Sequence, residues 1–231
     1  TVNNIHVETG ISNAVGGNID ASNLEWSLNN VLMYDFRMGG CDNWYRGITF
    51  AVIDPITGPW ISYNYQGSNS GQFGNIHCAS HPEPQYGFDF GTNGNSAPPW
   101  ANYIRNFINA IPNGDYVLVY STNNPDYSQW DPILVTALSS IGFTEASQFK
   151  NGTLTGHFIF FNRKGYTDTT LVTAPSGNYN IPIQASINFN ATWNQGNFSS
   201  PLIGPAVQWG SVHWQRVAME LGEQRGRQRQ L

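Results

Sequence analysis

Lysine is almost missing from this chain. Only Lys150 and Lys164 occur in 231 residues, and the formal net charge is -5. A nucleic-acid surface gains its affinity from clustered Lys and Arg, so the composition excludes that class of partner. Charged residues of both signs make up 11% of the chain, against roughly 25% in an ordinary soluble domain. Long apolar runs are absent as well; none approaches the ~20 residues of a membrane-spanning helix. Thr1-Val2-Asn3-Asn4 lack the charged start and apolar stretch of a signal peptide, as a mature or excised chain would too. No G-x-S-x-G elbow and no glycine-rich phosphate loop is present. Neither Asp126 with Asp131 nor Asp35 with Asp42 has a partner that makes a glycosidase pair, and Asp131 is better placed as a helix cap. The expectation is therefore a chain that is not an enzyme, holds no cofactor and spans no membrane.

Cysteine is scarce too. Cys41 and Cys78 are compatible with one disulfide, which explains both residues more simply than the other two readings, free thiols or a zinc site. His77-Cys78-x-x-His81 offers nitrogen and sulfur ligands, but the spacing is tight and no second Cys/His pair supports it.

What the chain has in quantity is neutral polarity and aromatic area: 27 Asn, 24 Gly and 14% Phe, Trp and Tyr. Such a surface suits a protein outside the cell. Trp44, Tyr45, Trp60, Tyr63, Tyr65, Tyr127 and Trp130 fall in or beside loops and hairpin faces. Aromatic faces stack on the apolar side of sugar rings while Asn and Gln bond hydroxyls, so these seven are the candidate ligand-binding residues. Core packing is the competing reading, expected for at least half of them.

Along the chain, residues 1–27 show no strong period. Val31 to Phe36 and Gly47 to Ile53 read as strands, the second one buried. Asp54-Pro55-Ile56-Thr57-Gly58 is turn chemistry, and Trp60 to Gln66 reads as the return strand. Residues 67–97 form a long Gly-, Asn- and Pro-rich loop. Trp100, Tyr103, Ile104, Phe107, Ile108 and Ile111 make one helical stripe, stopped by Pro112-Asn113-Gly114. Tyr116 to Tyr120 is a buried strand. A second helix has Asp131 as N-cap, Pro132 at its first position and Gly142 just past its end. Phe158 to Phe161 is another core strand. Beyond Ala174-Pro175-Ser176-Gly177, Ile181, Ile183, Ala185, Ile187 and Phe189 alternate with polar residues at a period of two. A further strand is expected near Val207 to Trp214, ahead of a Gln/Arg-rich tail.

Three of these stretches, in order, resemble one known family. Arg46-Gly47-Ile48-Thr49-Phe50-Ala51-Val52-Ile53 followed by Thr57-Gly58 is similar to its opening "RGIN-x-A" hairpin. Phe107 to Val119 resembles its passage from an apolar helix end through a turn into an apolar strand. Leu138-Ser139-Ser140-Ile141-Gly142-Phe143 and then His157-Phe158-Ile159-Phe160-Phe161-Asn162-Arg163-Lys164-Gly165 resemble its helix end and closing "W-V-F-x-G-G-K-G" strand. The family is that of the interleukin-like EMT inducer (ILEI)/PANDER or GG domain, matched over roughly residues 28–170.

The resemblance implies an α+β fold of antiparallel β-sheets with two main helices packed on them. It also implies a secreted or cell-surface setting. Members act as cytokine-like factors, a related domain binds sugar in the stem of a glycosyltransferase, and others sit in large surface proteins of Bacteroidetes exported by type IX secretion. The composition and the stretch from Ser200 to Trp214 look most like the last of these. The chain departs from the family in having Leu154-Thr155-Gly156-His157 where an Arg-Asp pair precedes the closing strand. It also has Asn123-Asn124-Pro125-Asp126 in place of an acidic turn.

Four segments are expected: an N-terminal piece at 1–27, the ILEI-like domain at 28–175, the start of a second β domain at 176–215, and a polar tail at 216–231. The expected function is a non-catalytic recognition module binding glycan or another surface protein. The alternative is a structural spacer or accessory domain of a larger secreted peptidase or adhesin. The one-sided strand at 181–189 has to bury Ile181, Ile183, Ile187 and Phe189 somewhere: on the first domain, on the N-terminal piece, or on another chain in an oligomer or larger assembly.

Overall fold

The computed structural model describes residues 2–10, 13–15, 18–20, 24–35, 47–62, 86–91, 100–123, 125–174, 177–192, 215–216 and 227–228. Strands come first: β1 (Val2–Thr9), a small hairpin of β2 (Asn13–Val15) and β3 (Asn18–Asp20), β4 (Glu25–Leu28), β5 (Val31–Asp35), β6 (Gly47–Asp54), β7 (Gly58–Pro59) and β8 (Phe88–Gly91). Then follow α1 (Trp100–Ala110), β9 (Tyr116–Thr122), α2 (Pro132–Ser140), α3 (Ala146–Lys150), β10 (Phe158–Arg163), β11 (Thr170–Thr173) and β12 (Ile183–Asn190). The architecture is α+β, as expected, and mostly sheet.

A six-stranded antiparallel sheet runs β11-β10-β9-β6-β7, with β8 on the same edge of β6 as β7. Its central strands are buried on both faces, which is why Gly47–Asp54 and Tyr116–Thr122 read as continuous apolar runs rather than alternating ones. Alternate residues serve different layers. Ile48, Phe50, Val52, Val117, Val119, Phe158 and Phe160 face a core with α1 and α2. Ala51, Ile53, Tyr116, Leu118, Tyr120, Ile159 and Phe161 face a second core on the other side. That second core is closed by a four-stranded antiparallel sheet, β12-β1-β4-β5.

The helices form where their chemistry directs. The stripe of α1 buries Ile104, Phe107, Ile108 and Ile111, although Tyr103 remains 58% exposed. Lys164 closes its C-terminal end, the ammonium donating to the carbonyls of Ile108 at 2.7 Å and Ile111 at 2.6 Å. Asp131 caps α2 by accepting from the Ile133 N–H at 2.7 Å. Gly142 follows that helix at φ +95°, where an added Cβ would stand 2.6 Å from the Asn162 amide nitrogen.

The expected boundaries at 27/28 and 175/176 are corrected by this arrangement. One compact unit spans Thr1–Gln195. β12 pairs with β1 over its full length, from Val2 opposite Asn190 to Thr9 opposite Ile183. Ile183, Ile187 and Phe189 bury against Leu118, Ile159 and Phe161, whereas Ile181 stays exposed. So the strand expected to open a second domain packs on the N-terminal segment and on the central sheet together. Of the return strand expected at 60–66, residues 60–62 are described and are not strand, the pairing back on β6 being made by the short β7 just before them. Residues 63–66 lie outside the described ones. Of the second unit, Gly196–Leu231, the structure describes one pairing, Gln215–Arg216 with Arg227–Gln228. The strand expected near Val207 to Trp214 lies outside the described residues.

One buried charge carries a pH signature. Asp115 immediately precedes β9, and its Oδ2 has no hydrogen-bond partner among the described residues. Burial pushes its carboxyl up to about 6, with Asp54 adding to the rise and Lys164 and Arg163 opposing it. Because the folded value lies above the ordinary one, the unfolded chain gives up this proton first, and stability falls as pH rises from about 4 to 6. Asp115→Asn, which cannot ionise, is expected to gain stability relative to wild type at pH 7.5 by about 1 kcal/mol, and to gain less at pH 4.5. Thermal melts at both values check this; an equal change at the two pH values would refute it.

Candidate functional site

Where α3 ends, the chain turns through Asn151 and Gly152 toward β10, and a pocket opens beside it. The pocket has a volume of about 480 Å³ and is lined by Asp126, Ser128, Lys150, Asn151, Thr155 and Tyr179, with Pro125, Tyr127, Phe149 and Gly152 completing it. That volume lies within the usual range for small-molecule sites.

Local turns set the polar rim. A 3₁₀ turn over Tyr127–Gln129 is capped by Asp126, whose Oδ1 accepts from both the backbone N–H and the hydroxyl of Ser128. Lys150, in the last turn of α3, donates to the Ser128 carbonyl at 3.2 Å and so ties the helix end to that turn. Asn151 folds its side chain back on the Thr153 N–H at 3.0 Å. Of the two lysines, Lys164 spends its ammonium on two helix carbonyls, while Lys150 keeps one bond and lines the pocket.

The floor is aromatic. The Tyr127 ring packs against Trp130 at 5.0 Å, Phe149 at 4.8 Å and Tyr179 at 6.0 Å between centroids. Its hydroxyl donates to the Gly156 carbonyl at 2.6 Å, and burial holds the phenol well above its ordinary pKa. Tyr179 forms a half-buried wall. Burial raises its phenol as well, and that hydroxyl lies against the Gly156 backbone and the Tyr127 hydroxyl.

Behind the wall stands His157, fully buried. Its Nδ1 lies 3.0 Å from the Ser121 hydroxyl and its Nε2 2.8 Å from the Tyr179 carbonyl. Burial pulls its pKa below the usual histidine value. A serine hydroxyl beside an imidazole is also the geometry of a nucleophile and its base. Here Ser121 has no exposed surface, and the far ring nitrogen meets a carbonyl rather than a carboxylate.

Of the seven candidate aromatics, Trp60, Tyr127 and Trp130 fall among the described residues, and of these Tyr127 lines the pocket. Trp130 is 0% exposed, a core side chain with no face to offer, which corrects its assignment as a ligand platform. Tyr127 is 4% exposed and touches the pocket with only a sliver of its surface. Trp60 is half-buried, its ring edge-on to Phe107 at 6.5 Å. Trp44, Tyr45, Tyr63 and Tyr65 lie outside the described residues, as do Cys41 and Cys78. Tyr179 was not among the candidates. The one signal in the sequence is a lone tyrosine between Asn178 and Asn180 after the Pro-Ser-Gly break, a composition shared by many solvent turns.

No family model and no curated protein matches the chain.

Proposed function

We propose that the chain is a non-catalytic recognition module of a secreted or cell-surface protein, and that it binds a glycan through the Tyr179 pocket. The observation that carries this reading is one aromatic wall flanked by short hydroxyl, amide and charged groups: Tyr179 beside Ser128, Thr155, Asn151, Asp126 and Lys150. A pyranose presents C–H bonds on one face and hydroxyls around its edge. The tyrosine ring takes the C–H face, and the rim supplies donors and acceptors. The scarcity of charge elsewhere supports the same reading, since a neutral Asn-rich surface gives little electrostatic competition.

A broad glycan array tests it, and at least one immobilised sugar is expected to be retained. Tyr179→Ala should weaken that binding about tenfold or more, equivalent to roughly 1.4 kcal/mol, while leaving the melting temperature within a few degrees. Silence across the array would leave the structural-spacer reading in its place.

A further inference from the structure

We infer that His157 is the positioning residue of the pocket: its imidazole holds the backbone of Tyr179, and with it the aromatic wall, at a fixed distance from the sheet. The inference rests on the reading of the Tyr179 pocket as the binding site, although its test below uses no ligand.

The wall sits at the end of a segment with little else to fix its backbone. In the 177–181 turn, the Gly177 N–H reaches Ala174, while the Asn180 and Ile181 N–H groups reach only Asn178, the side chain at 2.9 Å and the carbonyl at 3.3 Å. These bonds shape the turn but do not tie Tyr179 to the core. Among the described residues, contacts to Tyr127, Gly156 and His157 do. The ring lies 6.0 Å from that of Tyr127 and edge-on to the His157 imidazole at 5.5 Å. The phenol end lies against Gly156, and the carbonyl end meets His157 Nε2 at 2.8 Å.

The tautomer follows from the partners. A carbonyl accepts only, so Nε2 must carry the proton and donate it to Tyr179. Nδ1 is then bare and accepts from the Ser121 hydroxyl at 3.0 Å, while that oxygen accepts from the Phe158 N–H at 3.1 Å. Ser121 thus fixes the ring from β9, and the ring in turn fixes the wall. Close backbone packing leaves no slack beside it. Gly156 adopts φ +83°, and an added Cβ would come within 2.9 Å of the Gly177 Cα and of the Ala174 Cβ. The His157 carbonyl accepts from the Ala174 N–H at 2.9 Å, continuing the β10–β11 ladder one step past Phe158 and Thr173. His157 therefore contacts both ends of the segment it anchors.

The experiment measures amide hydrogen exchange in the full chain, residue by residue, for wild type, His157→Leu and His157→Gln. Leucine fills the space without a donor; glutamine can place an N–H₂ near the position of Nε2. His157→Leu should speed exchange at Asn180 and Ile181 about tenfold or more relative to Val119 and Phe160 in the same sample, and His157→Gln should recover most of that protection. An even loss across all four positions would mean that His157 only fills the core. Unchanged exchange at 180 and 181 would overturn the inference outright. If His157→Leu fails to fold, the imidazole nitrogen spectrum of the wild-type chain decides: the Nε2–H tautomer is expected, and a proton on Nδ1 would break the proposed hold on Tyr179. A silent glycan array would leave both readouts intact, so the binding proposal and the positioning proposal fail separately.

Discussion

Trp130→Ala is expected to cost about 3–5 kcal/mol of folding stability, the range for removing a large buried aromatic side chain. The ring is fully enclosed, edge-on to Tyr127 at 5.0 Å and to Phe158 at 6.3 Å, and it sits immediately before the Asp131 cap of α2. Domains are stable by only about 5–15 kcal/mol in total, so the loss is a large fraction of what holds this one together. Trp130→Phe should cost much less. It keeps ring packing and removes the indole N–H, which is buried without a hydrogen-bond partner among the described residues. Denaturant titration of the three proteins provides the measurement. The pattern separates core from platform: a ligand-stacking tryptophan would lose affinity on truncation and leave the unfolding midpoint in place.

Phe189→Ala carries the second large effect, again about 3–5 kcal/mol. Its ring lies 4.8 Å from Tyr116 and 5.7 Å from Phe161, so the last strand of the four-stranded sheet is pinned to the central strands of the six-stranded one. The Tyr116 hydroxyl adds a bond to the Asn190 carbonyl at 2.8 Å. Because β12 shares a core with β9 and β10, wild type and variant should each unfold residues 2–192 in one transition, seen alike by circular dichroism and by tryptophan fluorescence. Two separate transitions, with the variant shifting only one, would restore the boundary near residue 175.

The parts of the fold legible in the sequence are those where apolar spacing and end chemistry agree. In α1, four residues of the helical stripe, Ile104, Phe107, Ile108 and Ile111, bury while Tyr103 does not, and Pro112-Asn113-Gly114 ends the helix. In α2, Asp131, Pro132 and Gly142 occupy the positions their backbone preferences demand. The clean alternation of β12 located that strand to within two residues, yet said nothing about which surface it would cover. β1 was illegible for a different reason. Its inward positions are Asn3, Ile5, Val7 and Thr9, so two of the four buried side chains are polar and no hydrophobic period emerges. Tertiary bonds hold those two in place: Thr9 donates to the Ser121 carbonyl, and Asn3 reaches the Ala191 carbonyl at 3.4 Å. β8 and α3 are too short to show a period at all. The candidate site was the least visible. Tyr127 and Trp130 have the composition of a sugar platform, but burial depends on which helix folds over them, and neither residue encodes that locally.

The pairing of β1 with β12 has a consequence for the order in which the molecule is made. Asn4 bonds Asn188 through their side chains at 2.9 Å, across 184 positions of sequence. At a synthesis rate of about 5–20 residues per second, β1 spends on the order of ten to forty seconds without that partner. Throughout that interval it is a strand with an open edge, the element most prone to pair with another chain. The same Asn3 and Thr9 that hide β1 from a hydrophobic reading lower its apolar content while it waits. Replacing both with valine should leave a folded protein that is reached with more aggregation on refolding.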